Sequence, residues 1–263
     1  MGGTGVRFGS ETPKQFHRLA GKKVYLYTLE AFLQSGLFEE ILLVCPAQWM
    51  EEVKRDIASY PPLITLIAGG KTRQESSLNG LLACGGSTEI VVIHDAVRPF
   101  ISQQILRDNV AGAIQHRAVD TCIPSADTLV FAPNNYQIAD IPNRSEYLRG
   151  QTPQSFAYSL ILEAHLKADI QSSSDDCSLV LKLGHPVHIV QGSEENIKIT
   201  SSLDLYIAEQ MLRLRTTTAL PSSSLVGKRI AITGGTGGIG QELCRLLKEE
   251  GAIPIPLSRS STA

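Results

Sequence analysis

Two rhythms of apolar and polar positions alternate along most of the chain. From residue 24 onward, stretches with helical spacing are interleaved with short apolar runs of strand length. Val24–Ser35 has helical spacing and stops at Gly36, a usual helix terminator. Glu40–Cys45 is a short apolar run closed by Pro46 and predicts a buried strand. Trp49–Ala58 predicts an amphipathic helix, Ile64–Ala68 a strand and Thr72–Cys84 a helix. Ile90–Ile93 predicts a strand that delivers His94 and Asp95 at its end, and Gln103–His116 is again helical. This alternation predicts an α/β fold on a mostly parallel, doubly wound sheet with helices on both faces. Ligands of such sheets bind beyond the carboxyl ends of the strands. Gly69-Gly70, Asp95 and a glycine-rich loop at residues 2–5 all fall at that edge.

The rhythm breaks between Leu129 and Gln151. Pro133-Asn134-Asn135 is a turn signal between Leu129–Phe131 and Gln137–Ile141, which predicts a protruding β-hairpin arm. Alternation then resumes with helices over Tyr158–Ala168 and Asp176–Leu183, a strand over Val187–Val190 and a helix over Leu203–Arg213. The small-polar stretch TTTALPSSS predicts a linker at 216–225 between a main domain, 1–215, and a short βαβ unit, 226–263.

Composition narrows the class. At 263 residues, with 43% hydrophobic and 19% charged residues, the chain is an ordinary globular protein with length for a full core. A net charge of −2 gives no reason to expect nucleic-acid or membrane-surface binding. No apolar run nears the roughly 20 residues that span a bilayer, and no signal peptide is visible. The five cysteines are scattered without CxxC spacing, which predicts reduced thiols in a cytoplasmic protein.

The chemistry starts at Gly2-Gly3-Thr4-Gly5, a turn without side-chain obstruction that lets backbone approach a polyphosphate. Arg7 and Lys14 follow as cations for the phosphates. Such a loop normally follows a buried strand, and only Met1 precedes it, so the first strand is expected upstream of Met1. Asp95 at a strand end reads as a ligand or as a cap, and Asp175-Asp176 as a helix N-cap, a site or both. His185 and His188 are spaced to point to opposite faces, which favours structural histidines over a metal site. The string GGTGVRFGSETPKQF, with HDAVRP at 94–99, QTPQ at 151–154 and NIKIT at 196–200, resembles the cytidylyltransferases that make methylerythritol and ribitol diphosphocytidines.

That resemblance implies a Rossmann-like sheet of the nucleotide-diphospho-sugar transferase type, CTP as substrate and Mg²⁺ as the divalent cation. It implies nucleotide binding by Gly2, Gly3, Thr4, Gly5, Gly70, Arg73 and Ser76. Catalytic cations would be Arg7, Lys14, Lys198 and Arg144, the last reaching from the partner subunit's arm in a homodimer. Asp95, Arg98, Thr152 and Ser174 would meet the alcohol phosphate, with Asp95 near the metal. Three segments, Ala96–Phe100, Ala118–Thr121 and Tyr147–Phe156, resemble the ribitol 5-phosphate branch more than the methylerythritol one. The expected reaction is therefore CTP plus D-ribitol 5-phosphate giving CDP-ribitol, with 2-C-methyl-D-erythritol 4-phosphate as the alternative acceptor and a non-catalytic remnant as the alternative of another class. Val226–Gly240 resembles the opening of short-chain dehydrogenases, with Gly234, Gly238 and Gly240 in a dinucleotide turn. One βαβ unit lacks that family's downstream Tyr-x-x-x-Lys, so no use of NADP is expected of it.

Overall fold

Local signals set the ends of the elements before packing is considered. The computed structural model describes residues 12–134, 136–168, 175–218 and 225–258. Contacts divide the chain into two units, 1–211 and 212–263. Among the described residues of the first unit, a 3-10 turn at Lys14–Phe16 is followed by a small antiparallel pair, β1 (Arg18–Leu19) and β2 (Lys22–Lys23). Helix α1 (Val24–Ser35) ends at Gly36, whose φ of 63° places it in the left-handed region and turns its N–H back to the Leu33 carbonyl. Strand β3 (Ile41–Cys45) leads through a 3-10 turn to α2 (Met50–Asp56), and β4 (Ile64–Ala68) pairs parallel with β3. Helix α3 (Arg73–Ala83) starts in a full capping box: Thr72 Oγ1 accepts from Glu75 N–H while the Glu75 carboxylate accepts from Thr72 N–H.

The remaining described strands of the first unit form one four-stranded sheet in the order β5-β7-β6-β8. These are β5 (Ile90–Ile93), β6 (Ala118–Pro124), β7 (Leu148–Ala157) and β8 (His188–Gln191), with α4 (Gln103–His116), α5 (Tyr158–Lys167) and α6 (Asp176–Lys182) between them. The α/β architecture matches the expectation, but strand directions are more mixed. Strand β7 runs antiparallel to both β5 and β6, whereas β6 and β8 are parallel. The hydrophobic rhythm misses β6 and β7 because β7 reads LRGQTPQSFA, whose glycine, proline and glutamines disguise a buried strand. The first predicted helix after β3 also shortens, ending at Asp56 rather than Ala58.

Apolar clusters lie on both sides of this sheet. Ala118 of β6 and Phe156 of β7 pack with Leu160, Ile161 and Ala164 of α5 and Cys177 and Val180 of α6. On the opposite face, Val119 and Val190 pack with Ala113 of α4. The expected arm over Leu129–Ile141 is less regular than a hairpin. Phe131 and Asp140 form an isolated antiparallel bridge rather than a ladder, since Pro133 removes a donor and the apolar side chains of the arm lie exposed.

Helix α7 (Ser202–Thr218) runs three residues into the expected linker. The second unit is a βαβ element: β9 (Arg229–Thr233), α8 (Gly238–Glu249) and β10 (Ile253–Leu257), with β9 and β10 parallel. Gly234 has a φ of 70°, and a Cβ on Gly240 would collide with the Gly234 carbonyl oxygen. Those two glycines are needed to turn β9 into α8. Gly238 has open space around it.

Candidate active site

Three loops converge at the carboxyl end of β5. The first is His94–Pro99, immediately after that strand. The second is a bulge in β7: Asp120 faces Gln154 across the ladder, but Cys122 faces Gly150, so β7 carries two additional residues. Thr152-Pro153 fills that bulge, joined by a cis peptide bond. The third is Ser193–Thr200, which follows β8.

Thr152 locks the first two loops together. Its hydroxyl accepts from Asp95 N–H at 3.0 Å and lies 3.1 Å from His94 Nδ1. His94 Nε2 lies 3.3 Å from the Arg98 carbonyl, which can only accept, so Nε2 carries the proton and Nδ1 accepts from Thr152. Burial holds the His94 pKa down to about 4, so the ring is a neutral brace. Asn196 locks in the third loop by donating to the Thr152 carbonyl at 2.8 Å and to Gln151 Oε1 at 3.2 Å.

These braces present one charged pair to the cleft. Lys198 Nζ lies 2.8 Å from Asp95 Oδ2, and Arg98 Nε approaches the same oxygen at 3.5 Å. Burial alone would raise the Asp95 pKa, but the charge and hydrogen bond of Lys198, with the charge of Arg98, hold it at about 2. Lys198 remains 41% exposed, enough to meet a ligand. Arg98 is buried, and its Nη1 donates to the Asn196 carbonyl at 2.6 Å. It therefore ties the HDAVRP loop to the NIKIT loop. Lys198 is held from the other side by a reciprocal cap at Ser201-x-x-Asp204. Asp204 Oδ2 accepts from Thr200 N–H and Ser201 N–H, both at 2.7 Å, and Asp204 N–H donates to Ser201 Oγ.

Other expected residues take supporting positions. Ser76 Oγ donates to the Thr72 carbonyl and accepts from Gly70 N–H at 3.1 Å, shaping the Gly69-Gly70 turn. A Cβ on Gly70 would collide with Glu75. Arg73 Nη2 pairs with the buried Asp176 at 2.7 Å, and His165 Nε2 lies 2.9 Å from the other Asp176 oxygen. Asp175 is a helix N-cap, accepting from Ser178 N–H at 2.9 Å. Lys14 sits in the turn anchored by Phe16, which is buried and stacks on Trp49 at 4.4 Å. Arg144 lies exposed in the arm and donates to the Ala126 carbonyl. Gly2, Gly3, Thr4, Gly5, Arg7 and Ser174 lie outside the described residues. His188 stacks on His116 at 3.9 Å. Among the described residues no cluster of three or more His, Cys, Asp or Glu side chains is placed to hold a metal.

Residues 1–214 match the family described as IspD, 2-C-methyl-D-erythritol 4-phosphate cytidylyltransferase. The chain belongs to this family. It is a cytidylyltransferase, and CTP is its nucleotide substrate. A ribitol-5-phosphate cytidylyltransferase of Lactiplantibacillus plantarum is 37% identical over 81% of this chain and 96% of its own length. A bifunctional ribulose 5-phosphate reductase/CDP-ribitol pyrophosphorylase of Haemophilus influenzae is 34% identical over 99% of this chain. The chain spans 58% of that relative's length. Among solved structures, the 4-diphosphocytidyl-2C-methyl-D-erythritol synthase of Anaerococcus prevotii superposes with a TM-score of 0.72 at 29% identity, covering 79% of this chain and 93% of the other. The Thermus thermophilus family member gives 0.64 at 33% identity, covering 76% and 94%. The sequence motifs pointed to this family; the braces through His94, Gln151 and Asn196 were visible only as letters inside those motifs.

Proposed function

We propose that the chain transfers CMP from CTP to D-ribitol 5-phosphate, giving CDP-ribitol and pyrophosphate. The carrying observation is Lys198, held against Asp95 at the sheet edge by loops that brace one another. The nucleophile is a phosphate oxygen of the alcohol phosphate and is already anionic, so no general base is needed. That oxygen forms a bond to the α-phosphorus of CTP while the bond to the pyrophosphate oxygen breaks. Catalysis then consists of aligning two repelling anions and neutralising charge at the α-phosphate. Lys198 supplies one cation, and Arg7, Lys14 and the partner's Arg144 are the others in this reading.

Asp95 stays ionised and is one carboxylate beside incoming phosphates, which suits Mg²⁺ carried in with CTP rather than held in a protein cage. When bound, Mg²⁺ would neutralise phosphate charge. The acceptor assignment is supported by the names of two relatives and by the three segments of ribitol-branch character. The homodimer reading is supported by the exposed Val130, Phe131, Tyr136, Ile138 and Ile141 of the arm, an apolar strip suited to a partner. The βαβ unit is read as belonging to an NAD(P)-binding fold, and the protein as cytoplasmic. Among the described residues no helix is long and apolar enough to cross a membrane.

The family description and the solved relatives favour 2-C-methyl-D-erythritol 4-phosphate as the second reading. Pyrophosphate release measured with each alcohol phosphate separates the two. The proposal expects higher kcat/KM with D-ribitol 5-phosphate, and equal or reversed preference overturns it. No turnover with either would favour a remnant.

A further inference from the structure

Behind Asp95, the same face of the sheet carries polar side chains that the transfer chemistry leaves unused. Asp120 of β6 sits across from Gln154 of β7, which sits across from Ile93 of β5. Asp95 lies two residues beyond Ile93, so this row is about 6–7 Å behind the Lys198–Asp95 pair, one pleat repeat down the strands. Its neighbours toward the interior are apolar: Ala118, Phe156 and Cys177 belong to the cluster under α5 and α6. An apolar pair would fit that position at lower cost than a carboxylate and a carboxamide.

The polar groups here are incompletely satisfied. Gln154 Nε2 donates to Asp120 Oδ1 at 3.0 Å. Gln154 is 3% exposed, and its Oε1 has no hydrogen-bond partner among the described residues. Asp120 is half-buried, and its Oδ2 faces Gly150, where even a Cβ would stand 3.4 Å away. Burial pushes the Asp120 pKa up to about 6, reinforced by the charge of Asp175 and opposed by hydrogen bonds from Gln154, the Cys122 thiol and the Thr121 backbone N–H, so the orphaned acceptor of the pair is Gln154 Oε1. A buried acceptor without a donor is destabilising in the empty protein and is satisfied when a ligand brings O–H groups. An ionised carboxylate only accepts hydrogen bonds, as does the free amide oxygen, so the matching ligand is rich in hydroxyl donors.

We propose that Asp120 and Gln154 form the floor of the alcohol-phosphate pocket and read the hydroxyl groups along the polyol chain. This rests on the cytidylyl-transfer reading of the site and adds the residues that choose the acceptor.

The test compares the full chain with its Asp120→Ala and Asp120→Asn variants on D-ribitol 5-phosphate and on glycerol phosphate, which lacks the middle hydroxyls. Asp120→Ala is expected to raise KM for the longer polyol phosphate about 10–100-fold, the size of lost hydrogen bonds to a charged group. KM for CTP should stay within about twofold, and preference over glycerol phosphate should fall by the same factor as the polyol KM rises. Asp120→Asn keeps the side-chain volume and should fall between the two. An equal loss on both alcohol phosphates, or a matching rise in KM for CTP, overturns the proposal. If the wild-type chain prefers another alcohol phosphate, the ribitol reading fails separately, and the same ratio on that acceptor decides the role of Asp120. Calorimetric binding of the polyol phosphate gives the comparison without turnover, and equal Kd values for wild type and Asp120→Ala overturn it.

Discussion

Lys198 and Asp95 carry opposite requirements into one salt bridge. Asp95 holds Lys198 in place while leaving the ammonium exposed enough to meet an anion. Lys198→Ala should lower kcat by roughly 10²–10³ with the circular dichroism unchanged, by analogy with removing one donor from an oxyanion hole. A second titratable pair has a structural task. Burial would raise the Asp176 pKa, but the His165 hydrogen bond and the Arg73 charge hold it below the ordinary 3.8. A depressed carboxylate contributes stability above its unfolded pKa and loses it as pH falls through the folded value. Asp176→Asn should therefore destabilise by on the order of 3 kcal/mol near pH 7. In urea unfolding, the deficit should begin to shrink below about pH 4, where the unfolded chain's carboxylate protonates, and keep shrinking as pH falls through the depressed folded value. A deficit independent of pH would show that packing, rather than charge, sets the role of Asp176.

Elements in this chain begin and end on signals written locally, and these proved the most legible. Thr72 and Glu75 cap α3, Ser102 caps α4 by accepting from Ile105 N–H, and Gly36 closes α1. Thr72→Ala should cost about 1 kcal/mol in urea unfolding. Because the same turn shapes Gly70 and Ser76, KM for CTP should rise with it. Strand β7 was the least legible element. Its polar and proline-containing middle holds Gln151, Thr152 and Gln154, which make hydrogen bonds to neighbouring loops and strands rather than follow the hydrophobic pattern. In the βαβ unit, Gly240→Ala should lower the stability of that unit through collision with the Gly234 carbonyl, whereas Gly238→Ala should be tolerated sterically. Limited proteolysis of residues 225–258 in the two variants compares them.

For the whole molecule, the homodimer reading makes each site shared between two chains. If Arg144 acts across a dimer, mixing Arg144→Ala protein with Lys198→Ala protein should restore activity. Each heterodimer then contains one site with both cations intact. No recovery after subunit exchange, or a monomer by light scattering, would rule out Arg144 acting from a partner subunit.

The chain's motifs were enough to place it in the cytidylyltransferase family, because phosphate chemistry demands glycines and cations in recognisable strings. The α/β class was legible for a similar reason, since burial on a sheet or helix imposes a period on the residues. Side-chain engagement was decided only by tertiary structure. The fold pairs Arg73 with Asp176 and buries Arg98 between Asp95 and Asn196, partners that the sequence did not reveal. Asp120 and Gln154 lie 34 positions apart and become a pair only where β6 meets β7. Local spacing reports which face a residue takes; which partner waits there depends on strand order and register, and those are set by the packing of the whole sheet.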